Sequence, residues 1–154
     1  MCGIIGYTGG ANAVPRLLEG LESLEYRGYD SAGIAVFDDN NTLKVVKSKG
    51  RLALLRDKIN HLSEKLSAHC GIGHTRWATH GEPSSLNAHP HYSESKNLAI
   101  IHNGIIENYA DLKKKLMSDG VHFRSDTDTE VIVQLIEYIQ IKKNVDLLTA
   151  VRLA

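Results

Sequence analysis

Cys2 stands directly behind the initiator Met1, at the head of the run Cys2-Gly3-Ile4-Ile5-Gly6. A side chain as small as cysteine's permits removal of Met1, and Cys2 then carries a free α-amino group beside its thiol. One residue holds both a nucleophile and a base. Such an amine has a reference pKa of roughly 7.7–8 and a thiol roughly 8.5, so near neutrality the amine can take the thiol's proton, directly or through a water. This is the N-terminal form of covalent catalysis. A cysteine at position 2 of an arbitrary chain usually belongs to a frayed end. Here Gly3 to Tyr7 reads as a short buried strand between glycines, which anchors the terminus in a sheet.

Four further runs concentrate polar chemistry: Glu25-Tyr26-Arg27-Gly28-Tyr29-Asp30-Ser31-Ala32-Gly33, His74-Thr75-Arg76-Trp77-Ala78-Thr79-His80-Gly81, His102-Asn103-Gly104-Ile105-Ile106-Glu107-Asn108 and Ser125-Asp126-Thr127-Asp128-Thr129-Glu130. Taken singly, each has a plainer reading. A lone Arg or Asp in a loop faces solvent, a lone Trp is core, and Asn-Gly is most often a hairpin turn. The eight histidines, with His89-x-His91 among them, raise the question of a metal. Zinc sites usually add a Cys or carboxylate at ligand spacing, or a His pair on one helix face. Neither is present, so no metal is expected, and His89 and His91 read as loop residues.

These side chains need elements to hold them. With 154 residues, 42% of them hydrophobic, the chain can build one domain with a real core. Its 18 basic and 18 acidic residues cancel, which is no footprint of a nucleic-acid or anionic-membrane partner. No apolar run approaches the ~20 residues of a membrane span, and the basic and apolar regions of a signal peptide are missing. A cytoplasmic protein is expected. Cys2 and Cys70 are too few for a disulfide framework, and Cys70 reads as a small core hydrophobe.

Along the chain, Asn12 can cap a helix with apolar positions Val14, Leu17, Leu18, Leu21 and Leu24. Strands through Ile34–Phe37 and Leu43–Val46 form a hairpin over Asp38-Asp39-Asn40-Asn41. Residues 51–67 read as helical with a break near Asn60, and 70–75 as a strand. Residues 78–91, with Gly81, Pro83 and Pro90 and no apolar period, form a long loop of the kind that tends to be functional. A buried strand spans 97–102. A helix runs from Asn108 to about Asp119, with Lys113-Lys114-Lys115 as a solvated face. Thr127-Asp128-Thr129-Glu130 fits a capping box before a helix with stripe Val131, Ile132, Leu135, Ile136 and Ile139, placing Asp128 at its first position. A last helix starts near Asp146.

Read jointly, the runs closely resemble the N-terminal glutaminase domains of the glucosamine-6-phosphate synthase family, also called glutamine-fructose-6-phosphate aminotransferases (isomerizing). These are class II glutamine amidotransferases, and their domains are N-terminal-nucleophile (Ntn) hydrolases. The most specific part is His74 to Pro83 followed by Asn87-Ala88-His89-Pro90-His91, and the resemblance covers essentially the whole chain. It implies an α+β fold, a four-layer αββα sandwich of two mostly antiparallel sheets, C-terminally truncated here. Residues 1–154 are then one partial domain, without the sugar isomerase domains.

The resemblance also assigns roles. Cys2 is the nucleophile, and Asn103 and Gly104 form the oxyanion hole through the Asn amide and the Gly N–H. Arg76 takes the α-carboxylate of glutamine, which suits a planar guanidinium, and Asp128 takes the α-ammonium. Thr79 and His80 add polar contacts, Trp77 helps cover the site, and Arg27 supports the terminus. L-glutamine is the implied substrate, with no cofactor and no metal. Fructose 6-phosphate is a partner only of the missing isomerase domain, and the full-length enzyme is expected to be a homo-oligomer. Two alternatives stay open: another class II amidotransferase such as amidophosphoribosyltransferase, or a catalytically silent amino-acid-binding fragment.

Overall fold

The computed structural model describes residues 2–77 and 82–154. Strand β1 (Gly3–Thr8) forms as expected but is not buried throughout: Ile5 and Tyr7 pack on the core, whereas Ile4 is exposed. The helix expected after it is α1 (Ala13–Leu24), and Asn12 caps it, its side-chain oxygen accepting from the Val14 N–H at 3.1 Å. That bond satisfies one of the donors a helix start leaves open. The hairpin is β2 (Ser31–Asp38) and β3 (Leu43–Lys49). Asp38 shapes its turn by accepting from the N–H groups of Asn40 at 3.0 Å and Thr42 at 2.8 Å. Helix α2 (Leu52–Asn60) stops at Asn60, so 61–67 is not helical. Glu25 meets its start, accepting from the Leu52 N–H at 3.0 Å, where a carboxylate complements the helix dipole.

Strand β4 (Ala68–Arg76) lies between β1 and β2, giving an antiparallel sheet of order β1-β4-β2-β3. Alternation along β4 separates two jobs. On one face, side chains built on Gly71 and Gly73 would run into Leu17 and Leu21 of α1, so these glycines let the helix lie close to the sheet. That layer encloses the main core, with Leu17, Leu21, Ile34 and Leu55 fully buried. Each such side chain contributes roughly 1.5–3 kcal/mol of burial. The other face carries His74 and Arg76 toward the second layer. Cys70 shares that face, but at the far end of the strand opposite Thr8, where it is exposed and not a core residue.

The second layer is short. Strands β5 (His91–Tyr92) and β6 (Ala99–Ile100) pair antiparallel, so only two residues of the expected 97–102 strand join a ladder. Side chains take the bonds instead: Leu98 N–H donates to Ser93 Oγ at 3.2 Å and His102 N–H to His89 Nδ1 at 3.4 Å. Helices α3 (Tyr109–Ser118), α4 (Thr129–Lys143) and α5 (Leu147–Leu153) follow. Lys113 of α3 is not wholly solvated, since its ammonium donates to the Ser125 carbonyl at 3.1 Å.

The capping box does not form. Thr129 is the first helical residue of α4, and Asp128, one place earlier, makes no side-chain cap bond. Glu130 accepts from the N–H groups of Arg124 at 2.9 Å and Ser125 at 2.7 Å, and from the Ser125 hydroxyl at 2.5 Å. Helix α4 is therefore buried on more than its apolar stripe. Gln134 and Glu137 bind the turn after β5, Gln134 accepting from the Glu94 N–H and Glu137 from the Ser95 N–H. Helices α1 and α2, the four-stranded sheet, the β5-β6 layer and helix α4 with α3 beside it stack in that order, an α+β sandwich as expected.

Contact between the two inner layers depends on Gly33. A Cβ there would lie 2.2 Å from the His89 carbonyl oxygen, a backbone atom that cannot swing away. Gly33→Ala is expected to destabilise the fold by about 1–3 kcal/mol in denaturant unfolding, the range for overpacking. Gly6→Ala, where a Cβ meets nothing within 4 Å, serves as the control, and equal effects at the two positions would show that the layers do not meet at Gly33.

Candidate active site

The pairing of Gly3 with Thr75 carries Cys2 past the end of β4. There the Trp77 N–H donates to Cys2 Sγ at 3.2 Å, and the thiol lies 3.6 Å from the Trp77 carbonyl. Arg76, the last residue of β4, is 4% exposed. Burial pushes its pKa down, while Cys2, Asp30 and Asp128 push it back up. Gly28 packs against the Arg76 and Trp77 backbone, where a Cβ would meet Arg76 C at 2.8 Å, and this brings the neighbouring Arg27 to the site. Trp77 is half exposed, edge-on to Tyr29 with ring centroids 5.5 Å apart.

Asn103 and Gly104 lie between β6 and α3 and do not form a hairpin turn. The Asn103 amide spans two partners: Nδ2 donates to the Cys2 carbonyl at 3.3 Å, and Oδ1 is 2.9 Å from His74 Nε2. Asp128 arrives from the opposite side at the start of α4, its Oδ2 accepting from the Ile106 N–H at 2.8 Å. These groups border one cavity of about 360 Å³, at the small end of ligand pockets. Of the residues singled out from sequence, Cys2, Arg27, Arg76, Trp77, Asn103, Gly104 and Asp128 line it. Thr79 and His80 lie outside the described residues.

Sequence reasoning missed the wall behind them. His74, His89 and His102 also line the cavity. His89 is a loop residue as expected, whereas His91 begins β5, and both are buried, at 5% and 2% exposure. His74 stacks on His89 at 4.4 Å between centroids, and His89 meets His91 edge-on at 4.6 Å. One nitrogen of each ring is engaged with a neighbour: His74 Nε2 with Asn103, His89 Nδ1 with the His102 N–H, and His91 Nε2 with Thr127 Oγ1 at 2.8 Å. Among the described residues no cluster of His, Cys, Asp or Glu is placed to hold a metal ion. No local pattern pointed to this burial, since β5 begins only at His91 and His89 lies before it.

Burial makes these rings hard to charge. His74 is pushed down to about 4 by burial, partly opposed by its bond to Asn103. His89 and His91 are pushed well down too, first by burial and then by the neighbouring histidines, Arg76 and Lys47. Lys47, which donates to the Leu86 carbonyl at 3.0 Å, is itself lowered to about 8, chiefly by burial.

Residues 56–148, more than half of the chain, match the family model of the glutamine amidotransferase domain. The chain is 61% identical, over its full length, to a glutamine-fructose-6-phosphate aminotransferase (isomerizing) of Bacteroides thetaiotaomicron, and covers 25% of that protein. A namesake from Caldanaerobacter subterraneus subsp. tengcongensis is 54% identical over 99% of this chain, which covers 24% of it. The chain thus spans about a quarter of the length of the curated relatives it matches. Among solved structures, glutamine PRPP amidotransferase of B. subtilis superposes with a TM-score of 0.79 at 29% identity, over 98% of this chain and 31% of that one. Among the described residues no helix is long and apolar enough to cross a membrane.

The buried histidines set a pH dependence of stability. Well above the reference value of roughly 6.5 all three rings are neutral, folded or unfolded. As pH falls through the reference value of roughly 6.5, the unfolded chain takes up protons that the fold refuses, so unfolding becomes easier. Each ring then removes about 1.4 kcal/mol per pH unit, and for His74 the loss levels off below its folded value of about 4. Urea unfolding is expected to show stability falling steeply between pH 6 and pH 4.5; a flat profile across that window would contradict neutral burial.

Proposed function

Because the chain belongs to the glutamine amidotransferase domain family, we propose that residues 1–154 form part of a class II glutaminase domain in which Cys2, freed of Met1, cleaves the side-chain amide of L-glutamine. The observation that carries this reading is the meeting of Cys2, Arg76, Asn103 and Asp128 at one small cavity from four separated parts of the chain. Arg76 binds the α-carboxylate through two parallel hydrogen bonds. Asp128, one oxygen already held by the Ile106 N–H, offers the other to the α-ammonium. Two opposite charges at fixed separation select free glutamine over a glutamine within a peptide, which has neither charge.

The Cys2 amine takes the thiol proton as sulfur attacks the amide carbon. The tetrahedral oxygen is received by the Asn103 Nδ2–H and the Gly104 N–H. The C–N bond then breaks, the proton passes to the leaving nitrogen, and ammonia departs from a γ-glutamyl thioester. Water, deprotonated by the same amine, hydrolyses the thioester to glutamate and restores the thiol. Thr79, His80 and Trp77 complete and cover the substrate site, and Arg27 steadies the terminus. In this reading the ammonia goes to fructose 6-phosphate, forming glucosamine 6-phosphate in amino-sugar synthesis, at a site outside these residues. The 61% identity to the aminotransferases, against 29% to the PRPP amidotransferase, favours that acceptor.

Cys2→Ala in the full-length protein is expected to abolish ammonia release while glutamine binding by calorimetry stays within a few-fold, because Arg76 and Asp128 hold the substrate's charges. Ammonia release at the wild-type rate from the Ala variant would rule out the covalent mechanism.

A further inference from the structure

We propose that His74 is the positioning residue of the oxyanion hole: its Nε2–H holds Asn103 Oδ1 and thereby fixes which end of the Asn103 amide faces the cavity. The proposal rests on the reading above, in which Asn103 is an oxyanion donor, and adds a residue and a tautomer that this reading does not contain.

An Asn amide can be turned by half a rotation, exchanging a donor for an acceptor of nearly the same shape. For an oxyanion hole the two orientations are opposites, since a carbonyl oxygen facing the developing negative charge repels it. Asn103 touches two groups that decide between them. The Cys2 carbonyl, 3.3 Å from Nδ2, can only accept, so an oxygen at that end would set acceptor against acceptor. With Nδ2 on the Cys2 side, Oδ1 faces His74 Nε2 at 2.9 Å, and Nε2 must be the protonated nitrogen. Nδ2 has two hydrogens, of which the Cys2 carbonyl takes one. The second is left for the oxyanion.

The surroundings hold His74 in that state. The ring is 1% exposed and stacked on His89 at 4.4 Å between centroids, so it cannot turn freely. Its Nδ1 is buried with no hydrogen-bond partner among the described residues. A proton there would be an unanswered donor and would also leave the Nε2 lone pair facing the Asn103 oxygen, so the Nε2–H tautomer leaves fewer groups unsatisfied. The residue lies on β4, two places before Arg76, so one strand face presents both the carboxylate-binding cation and the support of the oxyanion donor. His74 does not touch substrate in this arrangement; it acts through Asn103.

The test compares His74→Gln, whose amide can donate from near the position of Nε2, with His74→Met, of similar length but without a donor. In full-length protein the Met variant is expected to lose roughly tenfold to a hundredfold in kcat for ammonia release, part of the hundredfold to thousandfold typical for loss of a whole oxyanion donor. KM for glutamine is expected to stay within about threefold, and the Gln variant to recover most of kcat. Because His74 acts through Asn103, the Met change is expected to cost little further in an Asn103→Ala background. A folded Met variant with wild-type kcat, or losses that multiply in the double variant, would overturn the proposal. Should the Met variant not fold, the wild-type protein still decides: nitrogen-15 spectra of labelled histidine are expected to show the Nε2–H tautomer at His74, and the Nδ1–H tautomer would overturn it. A wild-type protein that releases no ammonia from glutamine would instead reject the glutaminase reading and leave the tautomer to be judged on its own.

Discussion

The site depends on the register of β1 against β4. Gly3 lies opposite Thr75, so the residue before Gly3 meets the end of β4, where Trp77 offers its N–H to the Cys2 sulfur at 3.2 Å. A shift of one residue would turn every side chain of β1 to the other face of the sheet, putting Ile5 and Tyr7 out of the core and Cys2 toward α1. The apolar positions of β1 that pack against α1 therefore also aim Cys2 at the cavity. A chain terminus, ordinarily the least ordered part of a domain, is held by a ladder across its whole first strand.

A second constraint is the polar filling between the inner layers. Where a sandwich usually packs aliphatic side chains, this one packs His74, His89 and His91 with Arg76, Asn87 and Thr127. Buried polar groups of this kind are tolerable only when bonded, and most of these are. The network branches to both ends of the site. Through His74 it reaches Asn103, and through His91, Thr127 and Ser125 it reaches Glu130 beside Asp128. Burial holds the three rings neutral near neutral pH, so proton uptake by these histidines does not disturb the site there.

Where a local period or cap decided the structure, the sequence was readable. The α1 stripe, the Asn12 cap, the β2-β3 hairpin and the end of α2 at Asn60 all rest on short-range rules. The readings that failed depended on partners distant in sequence. Glu130 sits at capping-box spacing from Thr127, but the N–H groups of Arg124 and Ser125 claim it, and Thr127 turns to His91, 36 residues away. The expected strand at 97–102 lost most of its ladder to side-chain acceptors on Ser93 and His89. Cys70 has the composition of a core residue but lies at the end of β4 opposite Thr8, where it is exposed. At the site, motif order singled out Cys2, Arg76, Asn103 and Asp128, which line the cavity, whereas the histidines behind them follow from layer packing at Gly33, which no local pattern announces.

The rate of Cys2 alkylation by a small neutral reagent tests, without involving glutamine, the proposal that Cys2 is activated by its own α-amino group. The comparison is between protein with Met1 removed and protein retaining an uncleavable residue ahead of Cys2, across a range of pH. Both are prepared with Cys70→Ser, because Cys70 is exposed and would react as well. The processed protein's profile is expected to carry an inflection from the amine that the extended protein lacks, with a faster reaction near neutrality. Superimposable profiles would contradict the proposal, even if the extended protein were inactive towards glutamine.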